Sequence, residues 1–246
     1  MNQSILDKVY KLLDLHKSGK LGGEVMPEDE NPGLDVSVAE NYIYFTLPMA
    51  LNYQRNSYKL WEAANKSYKD SKTSDIFNPT AVVKMSKDEL QEKLLKYKVA
   101  LQPNKHIEIW RTISSTIAYD FSGDVRNLFI KNGYDIKQIK DYVLAHKKDF
   151  PYLGGAKILN YWLYVVEQYT DAKFKNRNFI TVAPDTHVIQ SSEKLGLITS
   201  AEAQNPNIRD ELATKWQKLL TGTDLSPIDA HTPMWLWSRG GFKYEV

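Results

Sequence analysis

The sequence predicts an all-α protein on three observations. Apolar residues recur at helical spacing nearly throughout, strand-like alternation is missing, and capping residues punctuate the helical runs. Only Asn178-Phe-Ile-Thr-Val-Ala183 has β-like composition, and it is too short and isolated to found a sheet. No internal repeat or low-complexity tract breaks the pattern.

Taken in order, Ile5, Val9, Leu12, Leu13 and His16 mark an N-terminal helix. It ends before Gly19, Gly22 and Gly23, which open a loop rich in Pro, Gly and acidic residues up to Asp35. Val38, Tyr42, Phe45, Leu47 and Ala50 predict a long apolar helix, and Leu60, Trp61, Ala64 and Tyr68 a second. Ser86, with Glu89 three residues on, is a capping box opening the helix of Leu90, Leu94 and Tyr97. Asn104, after Pro103, is expected to cap a helix that buries Ile107, Trp110, Ile113 and Ile117. Further helices are expected at about 123–131, 135–146, 156–169, 185–195, 207–220 and 227–238.

At 246 residues the chain can form one large domain or two intertwined lobes. Apolar residues at 42% and charged residues at 25% argue against disorder. No run approaches the roughly 18 apolar residues of a membrane span, and the N-terminus lacks a secretory pattern. A cytoplasmic or nucleoid monomer with no membrane partner is the default expectation. The absence of cysteine excludes disulfides, thiolate zinc sites, a cysteine-held iron–sulfur cluster and a cysteine nucleophile. Five scattered histidines with no His-x-x-x-His pair predict no metal site. With a net charge of only +2, affinity for DNA has to come from local clusters of Lys and Arg.

Residues 135–187 carry the most chemistry. Asp135 is placed to cap a helix with Ile136, Ile139 and Val143 on one face. The chain then turns through Lys147-Lys-Asp-Phe-Pro-Tyr-Leu-Gly-Gly155 into a helix with Ile158, Leu159, Trp162, Leu163 and Val166. Unpaired N–H groups from about Gly155 onward are expected to face outward and suit a phosphate oxygen. Glycines there let a nucleic-acid backbone approach closely. Lys157 falls on the first turn of that second helix.

Pro151-Tyr-Leu-Gly-Gly-Ala-Lys-Ile-Leu-Asn160 resembles the hairpin of the helix-hairpin-helix DNA glycosylases, the endonuclease III-like superfamily. Val182-Ala-Pro-Asp-Thr-His-Val188 is similar to their Val-Asp-Thr-His-Val element, and Glu193-Lys-Leu-Gly-Leu197 to the stretch that follows it. Phe45-Thr-Leu-Pro-Met-Ala-Leu-Asn-Tyr-Gln-Arg-Asn56 sits where that family runs from an apolar helix into a Gln-containing turn. The resemblance spans roughly residues 38–240. Two departures stand out: Leu153 replaces the first hairpin glycine, and 28 positions separate Lys157 from Asp185, with 171–178 reading as an inserted loop. That spacing, the lack of a cysteine cluster, and Pro227-Ile-Asp-Ala-His-Thr-Pro-Met-Trp-Leu-Trp237 are closest to the archaeal-type 8-oxoguanine glycosylase branch.

The resemblance implies a two-lobed helix-hairpin-helix fold with its active site in the cleft between lobes. Residues 57–184 would form a central lobe containing the hairpin unit at about 135–169, and 1–56 plus 185–246 the second. It implies a bifunctional N-glycosylase and abasic-site lyase acting on damaged double-stranded DNA, with Lys157 as Schiff-base nucleophile and Asp185 as its carboxylate partner. No cofactor is implied, although the hairpin leaves room for a monovalent cation.

An ammonium cannot attack, and a helix N-terminus with partial desolvation disfavours the charged form. Asp185 can stabilise positive charge on the sugar and accept or shuttle a proton once water is excluded. Gly154, Gly155, Lys147, Lys148 and Gln54 would meet DNA, Gln54 as a wedge in the vacated stack. Trp235 is the candidate to stack on the flipped base, and Asp229 either reads its edge or caps the last helix. Bland readings stand beside these. By type Lys157 could be a solvated lysine, Asp185 could be an N-cap, a role that can coexist with catalysis, and His187 is structural or touches DNA. Lys137, Lys140, Lys147 and Lys148, with Lys173, Lys175 and Arg177, form clusters that meet phosphates or simply face solvent. Rival functions are a glycosylase for another damaged base, a non-catalytic helix-hairpin-helix DNA-binding protein, and an all-α adaptor.

Overall fold

The structure, a computed structural model, describes residues 2–22 and 26–246, without the side chains of Asn2, Ala156 and Asp210. Gly23, expected among the loop-opening glycines, lies outside the described residues. The helices are α1 (Asn2–Lys17), α2 (Ala39–Thr46), α3 (Ser57–Lys69), α4 (Pro79–Val82), α5 (Lys87–Lys96), α6 (Lys105–Asp120) and α7 (Arg126–Lys131). They continue with α8 (Ile136–Ala145), α9 (Ala156–Tyr169), α10 (Thr186–Leu195), α11 (Ser200–Ala203), α12 (Ile208–Leu220) and α13 (His231–Arg239). Among the described residues there is no strand; one isolated bridge joins Asp135 to Lys175. The all-α expectation holds.

Several boundaries differ for local reasons. The predicted helix over 38–50 is broken: α2 stops at Thr46, and Pro48–Leu51 is a 3-10 turn. Pro48 has no N–H to continue the ladder. Asn104 occupies the N-cap of α6 in a helical conformation and makes no capping bond. At Ser86 half of the capping box forms, Ser86 Oγ accepting from Glu89 N–H (3.1 Å), while the Glu89 carboxylate turns to Lys93 (2.9 Å). The β-like 178–183 segment begins as a 3-10 turn, Arg177–Phe179.

The chain divides into two units, Val25–Lys175 and Met1–Glu24 with Asn176–Val246. The cuts fall there and not at the expected 56/57 and 184/185, because 39–51 is woven into the larger unit. Asn41 Nδ2 donates to Tyr169 O (2.7 Å), the Tyr42 hydroxyl to Asp171 (2.6 Å), and Trp162 Nε1 to Thr46 Oγ1 (3.0 Å). The larger unit's core is aromatic, with Tyr44, Phe45, Trp61, Trp110, Phe129 and Trp162 fully buried. Helix α9 buries Ile158, Leu159, Trp162, Leu163, Val165 and Val166, and α2 holds its C-terminal end. Its N-terminal turn is left at the surface.

In the smaller unit Ile5, Val9, Leu12 and Leu13 of α1 pack with Val188 and Leu195 of α10, Leu212 and Trp216 of α12, and Met234 and Trp237 of α13. Two buried serines of α10 fix its register: Ser192 Oγ accepts from Trp216 Nε1 (2.9 Å), and Ser191 Oγ donates to Met234 O (2.8 Å). Truncating a buried tryptophan such as Trp216 to alanine costs about 3–5 kcal/mol. Helix α10, which begins at Asp185, is therefore held along its length.

Candidate functional site

The hairpin is α8, the turn 146–155 and α9. Asp135 caps α8 through Lys137 N–H (2.9 Å) and Gln138 N–H (3.2 Å). Leu153 is fully buried and anchors the turn to the core where a glycine was expected. The conformational burden falls on Tyr152, at φ +62°, and not on a glycine. Gly154 and Gly155 have a packing role. A Cβ on Gly154 would lie 3.3 Å from Phe150 O, and one on Gly155 3.1 Å from Tyr152 O.

Of the N–H donors expected to face outward from about Gly155 onward, that of Gly155 is used inside the turn by Tyr152 O (3.0 Å), as is the preceding Gly154 N–H by Phe150 O (2.9 Å). Those bonds, with Leu153 N–H on Pro151 O (2.7 Å), engage the turn's carbonyls as well.

Lys157 stands on the first turn of α9 with its side chain exposed. The partial desolvation expected for its amine is not supplied by burial within the protein. One turn on, Asn160 is buried and accepts from Lys140 Nζ (2.9 Å), a bond that ties α8 to α9. Burial pushes the Lys140 ammonium down to about 8, against the opposing charge of Asp141. Of the expected basic clusters, Lys137 is paired with Asp141 (2.6 Å) and Arg177 with Asp229 (2.6 Å), whereas Lys147 and Lys148 are exposed.

Asp185, in the smaller unit, is the N-cap of α10, its Oδ1 accepting from Val188 N–H (3.0 Å). Two residues on, the His187 ring meets Trp235 edge-on at 5.8 Å, which brings Trp235 to the Asp185 end of α10. Ser238 Oγ donates to Gln190 Oε1 (2.8 Å) and is left to accept from His187 Nδ1 (3.0 Å), a structural use of the histidine. Trp235 is half-buried with the Arg239 guanidinium 4.7 Å from its ring centre, while Trp237 is core. Both oxygens of Asp229 are engaged, Oδ2 by Ser226 N–H (2.8 Å) and Oδ1 by Arg177. Asp229 thus closes a capping box on the 3-10 turn Pro227–Ala230 and does not cap the last helix, α13, whose N-cap is Ala230.

Gln54 is exposed at φ +49°, a left-handed conformation that a non-glycine keeps only when its neighbours impose it. Here the Arg55 guanidinium donates to Val99 O (2.7 Å) and Lys98 O (3.0 Å), and the Tyr53 ring stacks on Tyr152 of the hairpin turn at 4.1 Å. The Gln54 turn and the hairpin are therefore brought together within the larger unit.

Glu28 was not foreseen, since Pro-Glu-Asp in an acidic loop reads as surface. It is 1% exposed, and its Oε2 accepts from the hydroxyl of Tyr161, which lies one turn beyond Lys157 on α9 (3.0 Å). Its Oε1 and the nearby Trp61 Nε1 are buried without a hydrogen-bond partner. Burial pushes the carboxyl up to about 7, opposed by the Tyr161 hydroxyl. The folded state then keeps a proton that the unfolded chain releases near 4.5. Stability from this group is full below about 4.5, declines as pH rises, and is lost by about 7, for a total of about 3 kcal/mol. Thermal melts from pH 5 to 8 should show wild type losing ground to Glu28→Gln as pH rises; parallel curves would contradict this assignment.

No protein-family model matches the chain, and no curated protein matches it significantly. Among the described residues no three His, Asp or Glu side chains cluster as a metal site requires, and no helix is long and apolar enough to cross a membrane.

Proposed function

We propose that the chain is a DNA-repair glycosylase and abasic-site lyase that removes an oxidised base, with 8-oxoguanine in duplex DNA as its substrate. The supporting observation is the position of Lys157, an exposed amine on the first turn of a rigidly held helix directly after a tight Gly154–Gly155 turn. The likeness of residues 151–160 and 182–188 to the glycosylase motifs supplies the chemistry, since neither a binding module nor an adaptor has use for both Lys157 and Asp185.

The target nucleotide is flipped out at a cost of a few kcal/mol. Asp185 accepts the proton that frees the Lys157 amine, and Lys157 Nζ attacks C1′. The C1′–N bond breaks with its electron pair going to the base, which takes the proton held by Asp185 and so restores the carboxylate. A proton then passes from the lysine nitrogen to the ring oxygen O4′, the C1′–O4′ bond breaks, and a protonated imine joins Lys157 to C1′. Loss of a 2′ proton then expels the 3′ phosphate by β-elimination, and water releases the lysine. Positive charge developing on the sugar is stabilised by the Asp185 carboxylate.

The test is incubation with a panel of duplexes, each carrying one defined lesion and read by strand cleavage. The 8-oxoguanine duplex should be cut and the undamaged one left intact. Cleavage of a different lesion alone would reassign the substrate, and cleavage of none would reject the enzyme.

A further inference from the structure

Several basic side chains of the larger unit are paired with carboxylates. Lys59 and Lys66 share Glu62, Lys93 bridges Asp75 and Glu89, Lys96 meets Asp70, and Lys137 meets Asp141. Among the described residues Arg55, Lys98 and Lys105 enter no such ion pair, and they belong to one face. Lys105 opens α6 with its ammonium 4.6 Å from the centre of the Tyr152 ring and 5.2 Å from that of Tyr53. The two rings lie nearly parallel, 13° apart. His106 beside them is fixed neutral, its Nδ1 accepting from Leu101 N–H (3.1 Å) and its titration pushed down to about 4 by burial and by the charges of Arg55 and Lys105. Next to it a groove of about 450 Å³ is lined by Gln54, Arg55 and Lys98 and also by Glu62 with its partners Lys59 and Lys66.

We infer that this face grips the phosphodiester backbone of duplex DNA, with Lys105 as the phosphate contact and the Tyr53–Tyr152 stack as its holder. The inference rests on the DNA-binding half of the proposed function and not on the Schiff base. An ammonium over an exposed aromatic face is held by about 0.5–1 kcal/mol, enough to pre-order it while it still has N–H donors for a phosphate oxygen. The holder also joins the Gln54 turn to the hairpin, so a phosphate bound at Lys105 steadies both. Charge complementarity favours an anion here, and the polyanion this chain is proposed to meet is DNA.

The test is the binding of a fluorescent undamaged duplex to the full chain by anisotropy, from about 50 to 200 mM salt. Lys105→Met should weaken binding roughly tenfold at the low end and roughly threefold at the high end, because the slope of log affinity against log salt falls by about 0.9. Tyr152→Leu should weaken binding with the slope kept. Lys93→Met, whose ammonium bridges Asp75 and Glu89 away from the groove, should change neither. Lys105 is exposed, so its replacement leaves the fold intact. A wild-type slope in Lys105→Met, an equal loss in Lys93→Met, or no duplex binding by wild type would each overturn the inference. Binding that depends on Lys105 without any lesion cleavage would support this surface and reject the enzyme; lesion cleavage indifferent to Lys105 would do the reverse.

Discussion

Borohydride added during turnover of an 8-oxoguanine duplex is expected to leave the wild-type chain covalently joined to DNA and the Lys157→Ala chain unjoined. Reduction traps only an imine, so the adduct reports which amine reached C1′. Lys157 is exposed and lies in a helix where alanine is well accommodated, so the substitution should cost no more than about 0.5 kcal/mol of stability. Loss of the adduct would therefore report chemistry and not unfolding. The rival amine is Lys140. At about 8 it is roughly one-quarter neutral at pH 7.5, a far larger share than an ordinary lysine offers. Availability of the free base favours Lys140; access favours Lys157, whose side chain is exposed while that of Lys140 is half-buried against Asn160. Access decides, since attack needs contact at about 3 Å. An adduct that survives Lys157→Ala and disappears in Lys140→Gln would move the nucleophile to α8.

What could be read from the chain follows the range of the forces involved. Helices α9, α10 and α12 were legible because each combines a periodic apolar face with local punctuation, such as Asp185 before α10 and Gly196 after it. The break of α2 at Pro48 was equally local, and the apolar run through Ala50 hid it. The lobe boundary was not legible, because residues 39–51 join the larger unit through bonds to Asp171, Tyr169 and Trp162, far along the chain. The same holds for the Tyr53–Tyr152 stack and for buried Glu28. At the hairpin the residue types were informative and their reasons were not. The glycines pack, Leu153 anchors, and Tyr152 takes the left-handed turn. Asp229 shows the limit of a resemblance, since its identity was plain and its engagement with Arg177 and Ser226 was not.

Asp185→Asn is expected to lower base excision by on the order of 10²–10³ while leaving duplex affinity nearly unchanged. This substitution separates two roles that alanine would confuse. As N-cap, Asp185 accepts from Val188 N–H through Oδ1, and an asparagine oxygen caps about as well, so α10 keeps its first turn. Asp185→Ala would remove that cap at a cost of about 1 kcal/mol and shift Trp235 through His187 as well. Asparagine removes only the charge and the proton acceptor. If the carboxylate stabilises charge developing on the sugar, the loss belongs to the transition state: the excision step slows and substrate binding does not. Equal excision by the two proteins would confine Asp185 to its cap. A rate that fell together with thermal stability would point to the helix terminus, and one that fell at unchanged stability and affinity would point to the charge.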